Sequence, residues 1–183
     1  MPLEREIKLR FESPDAARAA VRHLGASPLR PRRLQRDALL DTADDALKAA
    51  RSALRLRDED GATILTFKGP PLPGALKVRE EHETRVGDGA ALLAILTSLG
   101  FRVWFRYEKY REEFSGTDVV IAIDETPMGT FVEIEGTESA IHDAARALGR
   151  TPADYLTQSY RALFLEHRGG ADGAITFADA DRR

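Results

Sequence analysis

Apolar and charged residues alternate through most of this chain. In Leu3-Glu4-Arg5-Glu6-Ile7-Lys8-Leu9 the period of two puts Glu4, Glu6, Lys8 and Arg10 on one face, and Leu3, Ile7, Leu9 and Phe11 on the other. That segment predicts a strand over 3–11, and the same pattern predicts strands at 35–41, 52–58, 62–68, 76–85, 101–113, 118–125 and 129–136. Ser13-Pro14-Asp15 opens a helix that runs to about Leu24, with Pro14 as its first residue and Gly25 as its stop. Further helical segments are expected at 44–50, 88–99, 138–148 and 158–166, the second on an apolar stripe of Leu92, Leu93, Ile95, Leu96 and Leu99. Pro28 to Arg33 reads as a basic, solvated loop, and Asp58-Glu59-Asp60-Gly61 as a tight hairpin. The Gly, Ala and Asp content from Gly169 onward predicts a disordered tail. The organisation is one domain over 1–168 with a tail over 169–183.

What the strands share is the composition of their polar face. Arg55 and Arg57 oppose Leu54 and Leu56; Thr66 and Lys68 oppose Leu65 and Phe67. Lys77, Arg79, Glu81 and Glu83 lie together, as do Lys109 and Arg111. Asp124 opposes Ile121 and Ile123, and Glu133 and Glu135 oppose Val132 and Ile134. For any one strand the ordinary explanation is a wet sheet face backed by helices. A merely wet face mixes Ser, Thr, Gln and Asn with its charges, whereas this one is mostly Arg, Lys, Glu and Asp. Curled inward, it would form a charged channel with helices on the apolar outside. Dense internal charge is costly without partners, and mixed acids and bases suit a polyanion with divalent cations.

Composition narrows the reading. A chain of 183 residues can bury a sizeable core. The net charge of -3 argues against a general nucleic-acid binder. Charged residues reach 31%, above the ~25% of ordinary globular domains. The absence of cysteine excludes disulfides and thiolate metal sites. No apolar run suits a membrane span, and the N-terminus lacks the basic-then-apolar order of a secretory signal, so the default expectation is cytoplasmic. Gly69 to Gly74 lacks the Gly-Lys-Ser or Gly-Lys-Thr of a phosphate-binding P-loop.

Six motifs then occur in an order that resembles the CYTH superfamily of triphosphate tunnel metalloenzymes. They are Glu4-x-Glu6-x-Lys8, Arg55-Leu56-Arg57, Thr66-Phe67-Lys68-Gly69-Pro70, Arg79-Glu80-Glu81-His82-Glu83, Glu108-Lys109-Tyr110-Arg111, and the strand Asp124 to Gly136 with Glu133 and Glu135. Ser159-Tyr160 resembles the family's C-terminal helix, and the likeness covers about 2–166. It implies an α+β fold: an eight-stranded antiparallel barrel with a charged tunnel and helices outside. It implies that Glu4, Glu6, Glu133 and Glu135 bind Mg²⁺ or Mn²⁺, with Glu81, Glu83 and Asp124 serving a second ion or orienting the first. Lys8, Arg55, Arg57, Lys68, Arg79, Lys109 and Arg111 would hold a triphosphate, with Glu4, Glu6 and Lys8 closest to catalysis. One departure is Leu39, where the resemblance leads one to expect a tyrosine beside the catalytic lysine.

The resemblance implies a triphosphatase acting on inorganic triphosphate or a small organic triphosphate. Two alternatives stand beside it: a class IV adenylyl cyclase making cyclic AMP and pyrophosphate, and a polyphosphate- or nucleotide-binding module without turnover. The expected partner is a small-molecule triphosphate, with no nucleic acid and no membrane; similar proteins often form dimers, so a homodimer stays open. His82 alternates away from the charged face and reads as exposed or structural, and Trp104 reads as outer packing.

Overall fold

The computed structural model describes residues 3–168 and 174–180. Its strands are β1 (Leu3–Phe11), β2 (Ser27–Thr42), β3 (Ala53–Glu59), β4 (Ala62–Lys68), β5 (Lys77–Val86), β6 (Phe101–Gly116), β7 (Val119–Thr126) and β8 (Gly129–Gly136). They close an antiparallel barrel in the order β1-β5-β4-β3-β2-β6-β7-β8. The expected eight-stranded barrel is therefore the fold. Its helices are α1 (Pro14–His23), α2 (Ala46–Ala49), α3 (Gly89–Ser98), α4 (Glu138–Ala147), α5 (Tyr160–Arg168) and α6 (Phe177–Ala180), with a 3₁₀ turn at Pro152–Asp154. Among the described residues no helix is long and apolar enough to cross a membrane.

Local chemistry explains the boundaries. The Ser13 hydroxyl accepts from the Ala16 N–H, and Pro14 occupies the first turn of α1, where its missing N–H is not needed. Asp60 and Gly61 both take positive φ, 50° and 77°, so a two-residue turn joins β3 to β4 with the twist a hairpin needs. The apolar strand faces point outward. Ile7, Leu9, Ile121, Ile123, Val132 and Ile134 pack with Ala17 and Val21 of α1 and Ile141 and Ala145 of α4 in the main core. A second cluster joins Phe105, Met128 and Phe131 to Tyr160, Leu163 and Phe164 of α5.

Three expectations change. Pro28 to Arg33 is strand rather than loop. Over this stretch β2 pairs with β6 alone, and β3 joins only from Gln35. Proline is tolerated on such an edge, and register shifts between Pro28 and Arg30 and between Arg30 and Arg33 absorb the irregularity. The apolar stripe of α3 is not a buried face: Leu92, Leu93 and Leu96 are half-buried, and Ile95 and Leu99 are exposed. Of the tail expected to be disordered, 169–173 and 181–183 lie outside the described residues, but Ile175 and Phe177 pack against the barrel. Ile175 is buried and pairs parallel with Tyr107, donating to the Arg106 carbonyl and accepting from the Glu108 N–H.

Ile175 and Leu156 do similar work. β6 outruns β7, whose ladder with it starts at Tyr110, and β1 outruns β5, whose ladder ends at Glu6. Leu156 covers the second opening with a pair of backbone bonds to Lys8, at 3.0 and 2.9 Å. Buried backbone groups on both open edges are thus satisfied without another strand.

Gly136 sits at a close approach of β8 to the β6–β7 turn. A Cβ there would lie 2.2 Å from the Asp118 carbonyl oxygen and 3.0 Å from Val119 Cγ1. Gly136→Ala should therefore cost about 1–3 kcal/mol, read as a lower urea midpoint at unchanged m-value. Gly87→Ala, where a Cβ meets nothing within 4 Å, should leave the midpoint within about 0.5 kcal/mol of wild type or raise it.

Candidate active site in the barrel interior

The barrel encloses a cavity of ≈ 1020 Å³. Thirteen lysine and arginine side chains line it against eight glutamates, so the wall favours an anion. Every site residue expected from the sequence is on this wall except Asp124.

The charges are sorted into linked groups. Lys8 Nζ lies 2.9 Å from Glu6 and 3.2 Å from Glu133. Lys77 reaches the same Glu6 oxygen at 2.5 Å. Lys68 bridges Glu4 and Glu81 at 2.7 and 2.9 Å, and Arg79 stands 3.5 Å from Glu4. Arg57 grips Asp37 through two bonds, at 2.8 and 3.0 Å, and Arg55 bonds the Thr66 hydroxyl at 3.1 Å. Glu83, nearly half exposed at 48%, accepts from Thr66 and stands at the rim.

Asp124 is fully buried and already saturated. It accepts from Lys109 at 2.8 Å, from Arg111 at 2.7 and 2.5 Å, and from the Tyr160 hydroxyl at 2.5 Å. Arg111 also contacts Glu133. The basic partners of Asp124 give it a positioning role beside the metal role expected of it. It faces basic residues rather than the cavity, and it fixes the direction in which Lys109 and Arg111 point.

These pairings set the ionisation. Burial opposes the charge on Lys8, but Glu6 and Glu133 outweigh it and raise its pKa, so Lys8 stays a cation. Burial also opposes ionisation of Glu6 and Glu133. Lys77 and Lys8 nevertheless hold Glu6, and Arg111 and Lys8 hold Glu133, well below the usual carboxylate range. Glu4 is raised, first by burial and then by the charge of Glu6. Glu135, although more open to water, is pushed up to about 7 by desolvation and then by Glu4 and Glu6. Lys109 is lowered to about 8 by burial and by the Arg111 charge.

Whether the acids suit a hard cation turns on Glu4, Glu6 and Glu135. Among the described residues no three acidic or imidazole groups converge on one point as a ready-made cage. The three glutamates nevertheless repel one another, and Glu4 Oε2 is buried without a hydrogen-bond partner. A buried carboxylate oxygen with no hydrogen-bond partner, set among acids that repel it, is a donor Mg²⁺ or Mn²⁺ favours, so Glu4 with Glu6 and Glu135 beside it fits the ion. Glu6 and Glu133 are each held by two bases, Glu6 by Lys8 and Lys77 and Glu133 by Lys8 and Arg111, and a cation would compete with those pairs.

Several lining residues escaped the sequence reading. Lys77 lies on the right face by period two, but nothing in the period distinguishes a site lysine from its neighbours. Tyr160 lines the cavity from α5, with Lys8 and Lys109 at 5.2 and 4.7 Å from its ring centroid. Tyr107 pairs across the ladder with Asp37, and burial together with the Asp37 charge raises its hydroxyl to about 12. Leu39 lines the cavity where a tyrosine was expected. Trp104 packs against the second core cluster, as expected, and also lines the cavity, with Arg161 and Lys48 at 4.6 and 5.0 Å from its ring. Arg33 is buried rather than solvated, and it pairs with Glu59 and Glu113.

Residues 2–160 match the CYTH domain family. The chain belongs to the CYTH domain family. A Methanocaldococcus jannaschii protein described as a candidate adenylate cyclase is 30% identical to this CYTH domain over 147 residues, 80% of this chain and 83% of that one. The structure of a candidate adenylate cyclase from Vibrio parahaemolyticus superposes with a TM-score of 0.76 at 22% identity, covering 88% of this chain and 97% of that one. A Hippeastrum protein, described as a candidate adenylyl cyclase with a dominant triphosphatase activity, superposes with a TM-score of 0.62 at 21% identity, covering 92% and 97%. Both superpositions establish the shared barrel.

The lowered pKa of Lys109 has a measurable sign. With a free-state value of about 8, Lys109 loses its positive charge as pH rises through that point. A polyanion seated against Lys109, with inorganic triphosphate as the probe, should therefore bind more weakly above about pH 8, and its binding near pH 8.5 should take up protons. Calorimetry in buffers of different ionisation enthalpy reads the uptake, and Lys109→Met should reduce it.

Proposed function

We propose that this CYTH domain is a metal-dependent triphosphatase, cleaving inorganic triphosphate or a small organic triphosphate inside its barrel. The observation that carries this reading is the excess of fixed cations on a barrel wall that also holds the crowded acids Glu4, Glu6 and Glu135, with Glu4 Oε2 left without a hydrogen-bond partner. A triphosphate brings the negative charge that such a wall lacks.

In this reading Arg55 and Arg79 present forks to phosphate oxygens, Arg57 and Arg111 offer the guanidinium N–H groups that Asp37 and Asp124 leave free, and Lys68 and Lys109 act as point charges. Asp37 and Asp124 hold those bases from behind, so little reorganisation is needed when the anion arrives. Lys8, kept charged by Glu6 and Glu133, stabilises negative charge. Glu4, Glu6 and Glu135 would hold Mg²⁺ or Mn²⁺, which when bound neutralises phosphate charge and polarises a phosphoryl oxygen. Phosphoryl transfer relies on such positioning and charge stabilisation more than on covalent chemistry by the protein.

Adenylyl cyclisation is the second reading, favoured by the description of the 30% identical relative. It would use the same phosphate grip, with the nucleotide 3′-hydroxyl in place of water. The description of the Hippeastrum protein supports hydrolysis as the first choice.

Purified protein given inorganic triphosphate, ATP or thiamine triphosphate with Mg²⁺ or Mn²⁺ should release orthophosphate. Glu4→Gln should lower turnover by about 10²–10³-fold and weaken Mn²⁺ binding. Pyrophosphate with cyclic AMP would replace the proposal by the cyclase. Tight binding without turnover under either ion would leave a binding module.

A further inference from the structure

The cavity has a second chemical region. On β2, β3 and β6 the lining runs from Leu39, Arg55 and Tyr107 at one end to Arg33, Glu59 and Glu113 at the other, because antiparallel pairing aligns those ends. At the far end Arg33 is 2.9 Å from Glu59 and 2.8 Å from Glu113, and Arg30 contacts Glu59 from the opening. Two positive and two negative charges cancel there, so this end does not continue the anion-binding wall. Ile64, opposite Arg57, adds apolar surface.

Gln35 is the residue these contacts do not explain. It is 1% exposed on the cavity wall, and its amide nitrogen donates to Glu59. A carboxylate accepts only, so the amide cannot be turned round, and Oε1 is left without a hydrogen-bond partner. A buried acceptor in this state gains when a donor arrives. The ≈ 1020 Å³ volume is at the top of the roughly 300–1,000 Å³ in which pockets hold drug-sized molecules. It has room beyond a linear triphosphate.

We propose that this end receives the non-phosphate part of an organic triphosphate: a neutral polar group bearing an N–H or O–H donor, with Gln35 Oε1 as its acceptor and Ile64 as its apolar contact. The proposal rests on the reading of the basic wall as a triphosphate site. It makes an organic triphosphate, rather than inorganic triphosphate, the preferred ligand.

Calorimetry with Mg²⁺ tests it, using inorganic triphosphate, methyl triphosphate, the four ribonucleoside triphosphates and thiamine triphosphate. At least one donor-bearing ligand should bind wild type about 10-fold more tightly than inorganic triphosphate. Methyl triphosphate, which carries no donor on its organic end, should show no such gain. Gln35→Met keeps the volume and should erase the 10-fold preference while leaving inorganic triphosphate affinity unchanged. The wild-type comparison stands on its own if the variant does not fold. Equal affinity across the panel, or equal weakening of organic and inorganic ligands by Gln35→Met, would overturn the inference while leaving the triphosphate reading intact. Failure of every triphosphate, inorganic included, to bind would overturn both.

Discussion

A closed barrel whose charged face points inward can fold only if nearly every internal charge meets an opposite one. That constraint organises the structure. Lys8 between Glu6 and Glu133, Lys68 between Glu4 and Glu81, and Arg57 on Asp37 each remove a charge that water would otherwise have to solvate. Because the pairs lie across strands, they also hold register. A slip of one residue would send a whole row of acids and bases into the apolar shell under α1 and α4. The charges that make the cavity useful therefore help to specify the fold.

The neutralisation is uneven, and the unevenness carries the chemistry. Asp124 and Asp37 are fully buried and spent on fixing arginines and lysines. Glu4 and Glu135 are left crowded by neighbouring acids, and Glu4 Oε2 has no hydrogen-bond partner. Acids behind the wall position bases, and on the wall Glu4 keeps one buried oxygen that no donor satisfies. A local sequence motif does not separate these two roles, since both appear as a carboxylate on the inward face.

Period-two alternation made most of the barrel legible, because one face had to be apolar and the other had to be charged for the same eight segments. It failed where pairing was one-sided. Pro28 and Pro31 look like loop residues until one sees that β3 does not reach them. The composition of α3 suggested burial, but composition does not report what lies opposite a helix. Tyr160 and Asp124 meet across 36 positions of chain, and only closure of the barrel under α5 brings them together. Gln35 and Glu59 were readable as strand positions, but their shared cavity end depends on how three strands are staggered.

The short return of the chain at Ile175 has a consequence outside the cavity. Where β6 continues past β7, its Arg106 carbonyl and Glu108 N–H face away from β2, and Ile175 takes up both. A strand margin closed in this way, by a segment that is no part of the barrel, is one that another molecule's strand would pair with if the segment were removed. A truncation placed at the end of α5 would turn a self-contained barrel into a template for intermolecular β-pairing.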